Sequence, residues 1–178
     1  MANKEVREGQ NTYEAIMERH AAARKQAQEG KIVLKGNEIP WEKARQGYLQ
    51  YFVSPNVVGP AVNNLTFFLQ DIRKHSGKHV HQGGTAIFVL EGEGYTIVEG
   101  KRIDWEKGDM ILLPIKPGGV EHQHFNRTPG RPCKWLAISY PPIKYAMGSV
   151  FEQREEGPEW RQTGDWRHGD KSRRPKSP

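Results

Sequence analysis

A chain of 178 residues is long enough for one domain with extensions, built around one core. Its formal charge of +6 fits an anionic substrate, loose nucleic-acid contact or simply a solvated surface. The single cysteine, Cys133, excludes an intrachain disulfide and a thiolate zinc cluster, and without an apolar run of about 18 residues or a signal-peptide core after Met1 a soluble, cytoplasmic protein is expected.

Residues 1–10 are polar and expected to fray. A helix is predicted from Asn11 or Thr12, because Asn11 and Glu14 have the spacing of a capping box. Tyr13, Ile16, Met17 and Ala21 form its apolar stripe, and Gly30 is its stop. His20 lies off the stripe and reads as a surface residue. The stripe is narrow, suited to docking on the rest of the chain or on a second subunit rather than on a membrane. Residues 31–35 read as a short strand, Gly36-Asn37 as a turn, and 39–41 as a short helical or irregular piece.

From residue 48 the pattern changes to short strands. Residues 48–53 read as one strand, ended by Ser54-Pro55-Asn56, with a further loop at Gly59-Pro60. Residues 65–73 are rich in aromatic and branched side chains, but Phe67, Phe68 and Leu69 are consecutive, so alternation does not assign the faces. Strands follow at 87–90, 95–98 and 102–105. They are separated by turns at 91–94, 99–101 and 106–109, the first of them read as a hairpin. Residues 134–140 form the last strand, ended by Pro141-Pro142, and Cys133 beside it reads as core. This succession of short strands and glycine turns signals an all-β barrel or sandwich. Beyond residue 150 the chain is polar, with Trp160 and Trp166 as anchors and a basic, disordered end at 171–176. No nucleic-acid motif is present, so a nucleic-acid partner is not expected.

Four of the seven histidines fall in two H-x-H steps, His79/His81 and His122/His124. In a strand, residues two apart share a face. If the two strands are neighbours, three or four imidazoles converge, and neutral ring nitrogens are good ligands for divalent metals.

This window resembles the two motifs of the cupin family. The first, G-x5-H-x-H-x3,4-E-x6-G, is matched by Gly77, His79, His81 and Gly92, with Gly77 nearer His79 than the pattern asks and Thr85 in the glutamate's place. The second, G-x5-P-x-G-x2-H-x3-N, is matched by Gly108 and Pro114 and then by Gly119, His122 and Asn126, with residues 115–118 as extra length. The resemblance covers about residues 65–142. It implies a single cupin double-stranded β-helix, a jelly-roll barrel, with an N-terminal helix and a polar C-terminal tail. The expected divisions are 1–47, a helical extension; 48–150, the barrel; and 151–178, the tail.

The resemblance implies metal ligation by His79, His81 and His122. Three neutral imidazoles leave a divalent ion at its full charge, with positions for a chelating anion and O2. Iron(II) is the expected metal, and Zn, Mn, Ni or Cu would also suit imidazole. His124 is a fourth ligand, a hydrogen-bonding partner behind the ligands, or a general base. Glu121 should face the other way, and Asn126 should brace a turn. Arg73 or Arg102 is a candidate anchor for a substrate carboxylate. Tyr51, Phe67, Thr85 and Trp135 are candidate substrate walls.

Cupins lacking the glutamate include the gentisate- and salicylate-type ring-cleaving dioxygenases, which are longer two-cupin chains, and the diketone-cleaving and thiol dioxygenases. The resemblance therefore implies an oxidoreductase that cleaves a C–C bond of a small chelating aromatic, enol or hydroxyketone substrate with O2. A metal-dependent isomerase or lyase, with His124 as base, and a non-catalytic binding cupin with a filled interior are the alternatives. The helix and the tryptophan-bearing tail suggest a homodimer.

Overall fold

The computed structural model describes residues 11–148 and 150–163. The polar start, Trp166 and the basic end lie outside the described residues. Helix α1 (Thr12–Glu29) is followed by a 3-10 turn (Gly36–Glu38), β1 (Glu42–Ala44), β2 (Gly47–Val53), β3 (Thr66–Asp71), β4 (Lys78–His81) and β5 (Thr85–Glu91). Then come β6 (Glu93–Val98), β7 (Lys101–Glu106), β8 (Met110–Leu113), β9 (Val120–Asn126), β10 (Lys134–Ser139), α2 (Pro141–Ala146), β11 (Phe151–Glu155) and α3 (Pro158–Thr163).

All strand pairs are antiparallel. They form a six-stranded sheet, β1-β2-β3-β10-β5-β8, and a five-stranded sheet, β11-β4-β9-β6-β7. Alternation fixes the inward faces: Ile87 and Val89 of β5, Ile111 and Leu113 of β8, and Trp135 and Ala137 of β10 are buried and join Ile72, Trp105, Val120 and Cys133 in one apolar core. The Cys133 thiol is held up at about 12 by burial, with Asp71, Glu91 and Glu93 adding to it, so it is an inert core group.

Two of the expected turns need correction. Residues 91–94 are not a hairpin. β5 pairs with β10 and β8 while β6 pairs with β7 and β9, so the chain crosses between sheets at Gly92. Gly92 has φ +82, and a Cβ there would stand 2.4 Å from the Pro132 carbonyl oxygen. Pro141-Pro142 does not simply end β10 but begins α2, where both prolines sit in the first turn and their missing N–H groups cost nothing.

The extensions also differ from expectation. Residues 31–35 make only an isolated bridge from Lys31 to Pro60, with Ile32 and Val33 exposed. Helix α1 begins as predicted, with the Tyr13 N–H donating to the Asn11 side chain at 2.8 Å, and His20 is exposed. Its stripe does not dock on the barrel: Tyr13, Ile16 and Met17 are exposed, and the helix is tied down at its end, where Gln26 Nε2 donates to the Pro60 carbonyl at 2.9 Å. At the other end, β11 lies inside the segment expected to be tail and pairs with β4. The α3 helix packs on β1 and β2, burying Trp160.

The β4–β5 link carries a tight constraint. A Cβ on Gly83 would lie 1.5 Å from the Pro114 carbonyl oxygen, whereas one on Gly100, also in a turn, would meet nothing. Gly83→Ala should therefore destabilise the protein by about 3 kcal/mol or more in urea unfolding, by forcing backbone movement. Gly100→Ala, strained only by its positive φ, should cost about 1 kcal/mol.

Candidate metal centre and cavity

Strands β4 and β9 pair with His79 directly opposite His122 and His81 opposite Val120. This places three imidazoles on the inner face, with ring centroids 4.2 Å apart for His79 and His122 and 4.7 Å apart for His81 and His122. All three are buried, and one ring nitrogen from each lies within 4.8 Å of the other two. The outward residue, Glu121, pairs with Lys78 Nζ at 3.0 Å, as parity requires.

The hydrogen bonds of these rings fit a metal. His79 Nδ1 lies 3.2 Å from the Gly77 carbonyl oxygen, His81 Nδ1 2.6 Å from that of Gln82, and His122 Nδ1 3.0 Å from that of Val120. A carbonyl only accepts, so each Nδ1 carries its proton and donates. Each Nε2 is left with a free lone pair, the form a metal ligand must have. Burial, then the neighbouring His122 and His81, holds His79 well below the ordinary imidazole value. Burial followed by His122 pushes His81 down to about 3, and burial chiefly pushes His122 down to about 4. At neutral pH all three are uncharged and ready to ligate.

His124 is different. It is not in the convergent triplet. Its Nδ1 lies 2.7 Å from Thr96 Oγ1, which also accepts from Trp105 Nε1 at 2.8 Å. Thr96 is fully buried, and its hydroxyl links Trp105 and His124 in a buried polar chain behind the ring. That arrangement leaves His124 a hydrogen-bonded neighbour of the three converging rings, its ring centroid 5.4 Å from that of His122. Burial, then His122 and His81, keeps it neutral.

These histidines stand in the wall of a cavity of about 300 Å³, also lined by Tyr51, Phe68, Thr85, Ile87, Leu113, Trp135, Lys144, Tyr145 and Phe151. The interior is therefore not filled. Of the expected walls, Tyr51, Thr85 and Trp135 line it. Phe67 does not: β3 pairs with β10 so that Phe68 lies opposite Ala137, and Phe68 takes the inward place. Burial, followed by Glu42, raises Tyr51 to about 12, so its hydroxyl keeps its proton. The Trp135 indole N–H has no acceptor among the described residues.

Neither arginine lines the cavity. Arg73 is half exposed beside Asp71 at 3.5 Å, with its guanidinium 4.3 Å from the Tyr48 ring centre. Arg102 stacks over Tyr95 at 3.8 Å and pairs with Asp104 at 2.7 Å. Asn126 braces backbone, donating to the Ile72 and Arg131 carbonyls at 2.9 Å each. The sequence reading missed Lys144 and Tyr145 on α2 and Phe151 on β11. Phe151 lies nearly parallel to the His81 ring, 6.0 Å away. The tyrosine and phenylalanine beyond the last expected strand were the only signals for them.

The family model for the cupin domain matches residues 68–139. The barrel of this chain is a cupin domain, and its three-histidine centre sits where the two motifs meet. Gentisate 1,2-dioxygenase of Ralstonia sp is 32% identical over 74 residues, which are 41% of this chain and 20% of that protein. The 5-aminosalicylate 1,2-dioxygenase of Comamonas sp is 27% identical over 115 residues, 63% of this chain and 29% of that protein. The chain thus spans less than a third of those relatives. Among solved structures, salicylate 1,2-dioxygenase of Pseudoaminobacter salicylatoxidans, as its gentisate adduct, superposes with a TM-score of 0.52 at 20% identity, over 76% of this chain and 36% of that one. A Streptomyces PAC13 variant with uridine gives 0.50 at 11% identity, over 74% and 97%. At these identities the structural likeness is one of fold. Among the described residues no helix is long and apolar enough to cross a membrane.

The neutral triplet has a consequence for stability. Unfolded imidazoles take up protons near pH 6.5, whereas folded His81 and His122 resist to about 3 and about 4. Protonation thus favours the unfolded chain. The stability of metal-free protein should be fully present above about pH 6.5 and fall as the pH drops from there toward 4, by about 1.4 kcal/mol per pH unit for each histidine withheld from protons. Urea unfolding at pH 7, 6 and 5 measures this, and a midpoint that does not move would contradict the neutral, buried assignment.

Proposed function

We propose that this cupin is an iron(II)-dependent dioxygenase that cleaves a C–C bond of a small chelating aromatic, enol or hydroxyketone substrate, both atoms of O2 entering the product. The observation that carries the reading is the convergence of a ring nitrogen from each of three buried histidines, each with its Nδ1 bonded to a carbonyl, on one wall of an open cavity. The partial likeness to ring-cleaving dioxygenases supports it.

His79, His81 and His122 would hold the metal, which when bound supplies Lewis acidity and one-electron chemistry toward O2. Ile87, Leu113, Phe68 and Trp135 enclose the substrate in an apolar space and limit water. With the Thr96 hydroxyl donating to its Nδ1, His124 would carry its proton on Nε2 and donate it to a substrate oxygen as negative charge gathers there. Tyr51, protonated at neutral pH, offers a second donor. The volume of about 300 Å³ is at the small end for ligand sites and restricts the substrate to a single ring or a short chain.

A homodimer is part of this proposal. Phe88, Leu90, Met110 and Leu112 are exposed together on the outer face of β5 and β8, and β8 is an open sheet edge. A second copy would cover this apolar face. Leu112→Glu should shift sedimentation from dimer to monomer at micromolar concentration, and an unchanged dimer would remove this face as the interface. Cytoplasmic residence is also proposed, in keeping with the free, buried thiol of Cys133.

Anaerobic apoprotein loaded with iron(II) should consume O2 with at least one member of a panel of hydroxybenzoates, catechols, diketones and hydroxyketones. His122→Ala should lose iron binding and cut uptake by roughly a hundredfold or more, the scale of losing a group needed for the chemical step. Iron-replete protein that takes up no O2 with the panel would turn the assignment toward a carbonyl-polarising isomerase or a binding-only cupin.

A further inference from the structure

Among the described residues the cavity wall contains one formally charged side chain. Apart from the neutral histidines, its lining residues are apolar or uncharged polar, except for Lys144, and no Asp or Glu is among them. Lys144 comes from α2, which starts directly after β10 on the buried Pro141. Its Nζ donates to Thr85 Oγ1 at 3.3 Å, and Thr85 is the first residue of β5, buried beside the metal centre.

An ammonium carries three donors. Thr85 takes one, and among the described residues no carboxylate lies within ion-pair distance of Lys144. A half-buried cation with one neutral partner is costly to maintain. The cost increases beside three neutral ligands that would leave a divalent ion at its full charge. Burial lowers the Lys144 ammonium only to about 8, so it remains charged at neutral pH.

We propose that Lys144 is a specificity residue that selects substrates bearing a carboxylate, which lies between the Lys144 ammonium, the Thr85 hydroxyl and the histidine centre as the counter-anion that the cavity lacks. This rests on the functional reading above and narrows it: carboxylate-bearing hydroxy acids and hydroxybenzoates are favoured over neutral diketones and hydroxyketones. It also transfers the anchoring role from Arg73 and Arg102, which face away from the cavity, to a residue on α2.

Binding without turnover tests the anchor separately from the reaction. Protein loaded with Zn(II) is titrated calorimetrically with salicylate, gentisate and mandelate, each against its primary amide. Wild type should bind at least one carboxylate roughly tenfold more tightly than its amide, the scale of a charge-assisted contact. Lys144→Met should reduce that margin to about twofold or less, with metal content and amide affinity unchanged, and Lys144→Arg should keep most of it. Lys144→Gln serves the same purpose if the methionine variant does not fold. Wild type with no preference for any carboxylate, or a charge-free variant that keeps the preference, overturns the proposal. Oxygen uptake by the iron(II) form separates the two readings: a carboxylate margin without uptake sinks the dioxygenase assignment alone, and uptake without the margin sinks the anchor alone.

Discussion

The site depends on the register of β4 against β9. His79 stands opposite His122 because two antiparallel strands pair at that point. A slip of one residue would turn one strand's histidines to the outside and bring Val80 or Glu121 inward. Several contacts fix the alignment. Lys78 and Glu121 pair across the outer face. The Ser76 backbone N–H donates to the His124 carbonyl, and the His124 backbone N–H donates to Ser76 Oγ. Asn126 closes the far end of β9 onto two carbonyls. On the other side of β4, β11 adds a strand, with Phe151 opposite His81. The outer edge of β4, which carries His79 and His81, is therefore covered rather than left open to solvent.

Register alone gives converging rings, not ligands. An imidazole has two nitrogens, and a buried ring whose Nδ1 had no acceptor could carry its proton on either. Here the backbone decides. The carbonyls of Gly77, Gln82 and Val120 each take an Nδ1 proton. All three acceptors lie within two residues of the histidine they orient, so the local path of the chain carries the chemical information. His124 shows the contrast: its Nδ1 meets the Thr96 hydroxyl, which can donate or accept, and not a carbonyl. Two H-x-H steps that look alike in sequence thus place three rings against carbonyls and one against a hydroxyl, and what stands behind each Nδ1 differs accordingly.

The parts of the molecule that were legible in the sequence are those where local pattern and tertiary role agree. The cap at Asn11, the short strands with glycine turns and the two H-x-H steps all have periodicity or spacing that survives in the fold. Three features were not legible, each for a physical reason. Phe67 and Phe68 are adjacent and equally apolar, and only the pairing of β3 with β10 selects Phe68 as the inward ring. β11 is an edge strand with a polar sequence, Phe-Glu-Gln-Arg-Glu, so it has no buried alternation to mark it. Its hydrogen bonds come from β4, more than sixty residues away in sequence. The prolines at 141 and 142 are helix breakers in an interior and helix starters at a first turn; composition does not say which.

Missing α2 meant missing the one formal charge that the described residues place in the cavity wall. The place a cupin glutamate would hold is Thr85, and the loss of that carboxylate removes one negative charge from the ligand set. Adding Lys144 against the same threonine places a positive charge there as well. The two changes act in the same direction: each makes the pocket more electropositive, and neither is compensated by an acidic side chain in the lining. In a low-dielectric enclosure, unpaired charge of one sign is tolerated where a ligand supplies the other. The anion that completes this pocket is therefore expected to arrive with the substrate.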